Sequence, residues 1–145
     1  MTDLTLEAAR TIVSAALEAA RARGLKPLAV VAYDARGSLK CVQAEDGTSL
    51  RRVEVAQGKA NGALALGLGS RALHARAETQ AYFVTAVAEI AGPAGLVPVP
   101  GGVLIRNREG RLLGAVGISG DTSDNDEICA VTGIEAAGLV AETGA

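Results

Sequence analysis

The sequence predicts one α+β domain, an antiparallel sheet with helices packed against it. Two pairs of short apolar runs, residues 28–44 and 102–119, are each joined by a polar turn that contains glycine. That arrangement is a hairpin signal. Helix-periodic stretches lie before, between and after the pairs, so strands arrive in twos rather than alternating singly with helices. At 145 residues the chain suits a single domain with one sizeable core.

The elements follow in order. Over residues 5–23, Leu6, Ala9, Ile12, Val13, Ala16, Leu17 and Ala20 recur at the spacing of one helical face. Thr5 suits the N-cap, Glu7 the positive end of the dipole, and Gly24 the stop. Residues 28–33 read as a buried strand, and Asp34-Ala35-Arg36-Gly37 as the turn into a second strand over 38–44. Asp46-Gly47-Thr48-Ser49 reads as a turn and N-cap ahead of an Ala-rich helix running to about Leu68. Gly58 and Gly62 weaken that helix by about 1 kcal/mol each relative to alanine. The expected return is close approach to the sheet or to another subunit. A break at 67–70 leads to one further helix over 71–90, ended by Gly92-Pro93 and Gly95. Strands over 102–106 and 111–119 flank the tip Asn107-Arg108-Glu109-Gly110, and a last helix is expected over 124–142.

Composition limits the function classes. Apolar residues make up 49% of the chain but aromatics only 2%, so alanine, glycine and aliphatic side chains must build the core. A net charge of -2 gives no basic footprint for nucleic acid, and Tyr33, Tyr82 and Phe83 are too few for base stacking. The first ten residues lack the basic start and apolar run of a signal peptide, and no stretch approaches a membrane span. Cys41 and Cys129 are far apart and form no CxxC pair, so neither a disulfide framework nor a zinc knuckle is expected. The expectation is a cytoplasmic protein with reduced thiols and no membrane partner.

Several residues are candidates for chemistry. Alternate residues Leu113, Ala115, Gly117 and Ser119 share a strand face that shrinks toward its end, which predicts a recess near Ser119 or tight helix packing there. Gly101-Gly102 reads as a turn needing positive φ, or as backbone amides offered to an anion. Lys59 reads as a solvated helix face, or as a point charge for a carboxylate. Asp121, Asp124, Asp126 and Glu127 gather at a helix start, where acids contribute about 0.3–1 kcal/mol each. Asp124 with Glu127 reads as a capping-box variant rather than a metal site. His74, the single histidine, at helical spacing with Arg71 and Glu78, reads as a structural surface-helix residue or as an axial ligand for haem iron. No nucleophile elbow, P-loop, dinucleotide fingerprint or HExxH occurs.

These features together resemble the GlcG/HbpS-like family, which includes the C-terminal domain of PduO-type proteins. The resemblance covers nearly the whole chain. It rests on residues 4–9 opening the first helix, the turn at 34–37 and Gly58-Lys59-Ala60. It rests further on Gly101-Gly102 leading into a strand, Gly114-Ala115-Val116-Gly117-Ile118-Ser119-Gly120, and Thr122-Ser123 with Asp126-Glu127 before the last helix. Val103-Leu104 stands where the family commonly has Val-Pro, Gln43-Ala44 where it often has Arg-Met, and there is a single histidine. The resemblance implies a profilin-like fold with a central antiparallel sheet, assembly into homo-oligomers, and in some relatives a bound haem or corrinoid.

Two functions follow as expectations. One is a small-molecule or cofactor-binding protein of this type, with haem or another tetrapyrrole as a possible ligand, Lys59, Gly101, Gly102 and Ser119 facing it, and His74 as the iron ligand. The other is an enzyme moving a proton on a small carboxylated or carbonyl metabolite, a tautomerase, hydratase or lyase. There Lys59 would hold the anion, the Gly101-Gly102 amides would meet a developing oxyanion, and Asp126 or Glu127 would carry the proton.

Overall fold

A computed structural model describes residues 3–145. The elements are α1 (Leu6–Ala22), β1 (Ala29–Asp34), β2 (Leu39–Ala44), α2 (Arg52–Leu66), α3 (Ser70–Thr79), α4 (Ala81–Ile90), β3 (Gly102–Arg106), β4 (Leu112–Ser119), α5 (Ser123–Ala136) and β5 (Val140–Glu142). The five strands form one antiparallel sheet in the order β2-β1-β4-β3-β5. This is the α+β architecture that the paired apolar runs predict.

Strand periodicity sorts side chains to two faces. Val30, Ala32, Val103, Ile105, Val116 and Ile118 join the buried side chains of α1 and α5. Val31, Tyr33, Leu104 and Ala115 meet Ala56, Ala60 and Ala63 of α2 on the other face. The sheet thus lies between an α1/α5 layer and α2. Small residues bring the layers close. A Cβ on Gly133 of α5 would stand 2.4 Å from the Ile12 carbonyl oxygen of α1.

Local chemistry accounts for most boundaries. Thr5 caps α1 as expected, accepting from the Ala8 N–H at 3.1 Å. Asp34 closes the first hairpin through its carboxylate, which accepts from the Arg36 and Ser38 N–H groups. Asn107 does the same for the second, accepting from Glu109 and Arg111.

Four expectations need correction. The 46–49 segment does not cap α2, which begins at Arg52 without a side-chain cap. The helix expected over 71–90 is two helices, with Gln80 out of helical conformation at φ -138° and ψ 57° between them. The last helix stops at Ala136. Gly138 adopts φ 75°, and residues 140–142 turn back to pair with β3 as an edge strand. Finally, the register shifts between Ile105 and Arg106 opposite β4, and Leu113 packs with the α1/α5 layer while Ala115 faces α2. The shrinking face therefore begins at Ala115.

Candidate functional site

The end of β4 is where sequence reading expects a recess, and α2 fills it. Gly102 and Gly117 are direct cross-strand partners in β3 and β4. A Cβ on Gly117 would lie 1.9 Å from the Ala56 carbonyl oxygen, and one on Gly102 would lie 2.2 Å from that of Lys59. The paired glycines form a notch that accepts the helix backbone itself. Tight packing, the other reading of the small residues, is the one found. Ser119 is fully buried, and its Oγ accepts from Arg52 Nη1 at 3.1 Å.

Seating α2 in this notch sets the path of Lys59. Its side chain runs past Gly101, where a Cβ would stand 2.8 Å from Nζ. The ammonium then donates to the Ile118 carbonyl at 2.8 Å and to Asp126 Oδ2 at 3.1 Å. Lys59 is 2% exposed and Asp126 1%. The second oxygen of Asp126 accepts from the Asp121 N–H at 3.0 Å. Burial pulls the Lys59 pKa down and Asp126 opposes that pull; burial pushes Asp126 up and Lys59 opposes that.

Gly101 adopts φ 119°, which agrees with the turn reading. The Gly102 N–H donates to Ser70 Oγ at 2.7 Å, and that hydroxyl donates to the Val99 carbonyl at 2.6 Å. Lys59, Gly101, Gly102 and Ser119 do come together, as the sequence suggests. They form a buried junction whose polar groups bond to one another. Proton transfer needs the reacting groups within hydrogen-bond reach of a substrate. Here the Lys59 ammonium and the Gly102 amide are already occupied within the chain.

The four carboxylates near α5 divide their tasks. Thr122, not Asp124, is the N-cap, accepting from the Asn125 N–H. Asp121 accepts from Asn125 Nδ2 and from the Lys26 and Thr122 N–H groups, which holds its pKa down at about 2. Asp124 and Glu127 both grip Arg71 of α3. Asp126 alone turns inward. Among the described residues no group of three or more His, Cys, Asp or Glu side chains is placed to hold a metal ion.

His74 lies apart from this junction, on α3, with its side chain 46% exposed. Its Nδ1 stands 3.4 Å from Glu78 Oε1. A hollow of about 250 Å³ opens beside it, walled by Arg71, Pro100 and Ser123 among others. On α4, Tyr82 is 73% exposed and Ile90 83%, while Phe83 lies beneath the Arg76 guanidinium at 4.0 Å. Cys41 and Cys129 are free thiols, and burial pushes the Cys129 pKa up. No described helix is long and apolar enough to cross a membrane.

Sequence reading misses Arg52, Ser70 and the inward turn of Asp126. Nothing in their spacing distinguishes them from an ordinary helix start or cap, because the partners that place them at this junction lie 29 to 67 residues away.

Comparison with known proteins places this geometry among relatives. The family model described as "Haem degrading protein HbpS-like" matches residues 4–135. No curated protein matches the chain by sequence. The crystal structure of HbpS is similar at 26% identity, covering 93% of this chain and 90% of that one, with a TM-score of 0.78. That of the PduOC–haem complex is also 26% identical, covering 94% and 96%, with a TM-score of 0.83. The ORFY protein of Klebsiella pneumoniae, at 20% identity, shares the fold with a TM-score of 0.83 over 95% of this chain and 92% of that one.

Proposed function

This chain belongs to the HbpS-like family of haem degrading proteins, and from that premise we propose that it binds haem or a related tetrapyrrole. The observation that carries the proposal is its whole-chain likeness to a protein crystallised as a haem complex.

The donor chemistry of the chain fits such a ligand at His74, its single histidine. An iron-ligating histidine usually turns its other ring nitrogen to a carboxylate or carbonyl, which fixes the tautomer. His74 Nδ1 stands 3.4 Å from Glu78 Oε1, near such a partner, and the ring is half-exposed. Its imidazole would be the group to hold the iron. Haem supplies a redox-active iron, and the chain contributes the donor and the surrounding surface.

One chain offers only part of that surface. The hollow of about 250 Å³ beside His74 is smaller than the roughly 300–1,000 Å³ of typical ligand pockets. Self-association would complete the wall, and α4 suits it. Among its ten residues only Glu89 is charged, and Tyr82 and Ile90 face outward without cover. The protein is therefore proposed to act as a homo-oligomer.

Titration of the purified protein with hemin tests the reading. A saturable displacement of the Soret band, with hemin co-eluting on gel filtration, is expected. A band that stays where free hemin absorbs at every protein concentration would contradict it. Light scattering tests assembly, with a mass that is a multiple of 14.6 kDa expected and a monomer the contrary result.

A further inference from the structure

With Lys59 committed to Asp126, Arg52 is a half-buried cation of this region that has no carboxylate partner among the described residues. Its guanidinium makes two hydrogen bonds, Nε to Ser49 Oγ at 3.1 Å and Nη1 to Ser119 Oγ at 3.1 Å. Both acceptors are neutral hydroxyls. A guanidinium carries five N–H donors in a planar fork, so most of its capacity is unspent. Among the described residues no carboxylate lies within ion-pair distance of Arg52, although its neighbour Arg51 pairs with Glu54. Arg52 is half-buried, where an uncompensated charge is costlier than on an open surface.

Arg52 borders a hollow of about 180 Å³ between the α1–β1 connection and the segment leading into α2. Lys26 stands on its rim, Thr48 and Ser49 add hydroxyls, and no acidic side chain lines it. Arg52 also lies near enough to the Lys59 ammonium to help hold its pKa down. Two cations thus lie near one another at this end of the sheet, and only Lys59 has a carboxylate partner, Asp126. An anion beside Arg52 would relieve that imbalance.

We propose that this hollow binds a small oxyanion, a phosphate or carboxylate group, through the Arg52 fork, with Lys26 and the Thr48 and Ser49 hydroxyls completing the shell. The planar fork matches two oxygens of either group. The site shares no residue with the surface around His74, so it stands or falls apart from the haem reading.

Calorimetric titration of the hemin-free protein at low ionic strength, once with inorganic phosphate and once with acetate, tests the site and separates the two sources. Saturable binding of at least one anion, with a dissociation constant of about 1 mM or below, is expected. Loss of a charged hydrogen-bonding partner should make Arg52→Gln bind at least about tenfold more weakly. Lys26→Gln, an exposed change that leaves the interior intact, should weaken binding roughly two- to fivefold. No saturable heat from either anion overturns the proposal. So does binding that is unchanged in folded Arg52→Gln, or, should that variant not fold, unchanged in Lys26→Gln.

Discussion

Lys59 of α2 and Asp126 of α5 meet at 3.1 Å although their helices lie on opposite faces of the sheet. The pair passes around the strand ends, through a gap that Gly101 leaves by having no side chain. It therefore ties the two helical layers together where no strand separates them. Removing one partner of a buried ion pair strands the other charge, at a typical cost of about 3–5 kcal/mol. Asp126→Asn should lose stability of that order near neutral pH in chemical denaturation. The double variant Lys59→Met/Asp126→Leu should recover most of it, because two apolar groups leave no unpaired charge. A double variant as unstable as the single one would show that packing, rather than charge, dominates.

The same variant has a signed pH dependence. Without Asp126 as a counter-charge, burial lowers the folded-state pKa of Lys59 further below its ordinary 10.5. Between that folded value and 10.5 the unfolded chain binds more protons, so stability must rise with pH. Unfolding curves of Asp126→Asn across this interval should show the rise more strongly than those of the parent protein. A stability that falls with pH there would contradict a stranded ammonium.

The glycine notch predicts a contrast between two alanine substitutions. Gly117→Ala would press a Cβ to 1.9 Å from the Ala56 carbonyl oxygen, and neither backbone can yield without lifting α2. A loss of about 3 kcal/mol or more is expected, at the upper end for overpacked sites. Gly110→Ala meets nothing within 4 Å but must adopt φ 87°. It should lose only about 1–2 kcal/mol. Equal losses in thermal unfolding would remove the notch as the reason for glycine at 117.

Asp121 predicts behaviour in acid. Hydrogen bonds from Asn125 and from the Lys26 and Thr122 N–H groups lower its folded pKa from 3.8 to about 2. A depressed carboxylate stabilises the fold above its unfolded pKa, and that contribution fades as pH falls toward the folded value. Asp121→Asn should therefore flatten the pH dependence of stability between about pH 4 and pH 2. An unchanged slope over that interval would show that these bonds do not persist in solution.

What the sequence makes legible follows from the range of each interaction. Thr5 and the Ile12/Val13/Ala16 stripe specify α1 locally, and both hairpins carry their own turn residues, so these elements are read correctly. The stretch after Ala136 is different. Leu139 continues the helical spacing, but Gly138 at positive φ and the free edge of β3 draw residues 140–142 into the sheet. Gln80 separates α3 from α4 with no glycine or proline to announce it. At the candidate site, the closeness of Lys59, Gly101, Gly102 and Ser119 is legible, but their burial is not. Alanine and glycine in α2 look equally suited to lining a recess and to filling one, and only the sheet's paired glycines decide between them.

The most direct test of the proposed function compares the parent protein with His74→Ala at matched hemin concentrations, following the Soret band and the rate of hemin loss to a scavenger. His74 is half-exposed, so the substitution should leave the fold intact by circular dichroism. The account predicts a displaced Soret band in the parent that reverts toward free hemin in the variant, with faster hemin release. Identical spectra and release rates for the two proteins would contradict it.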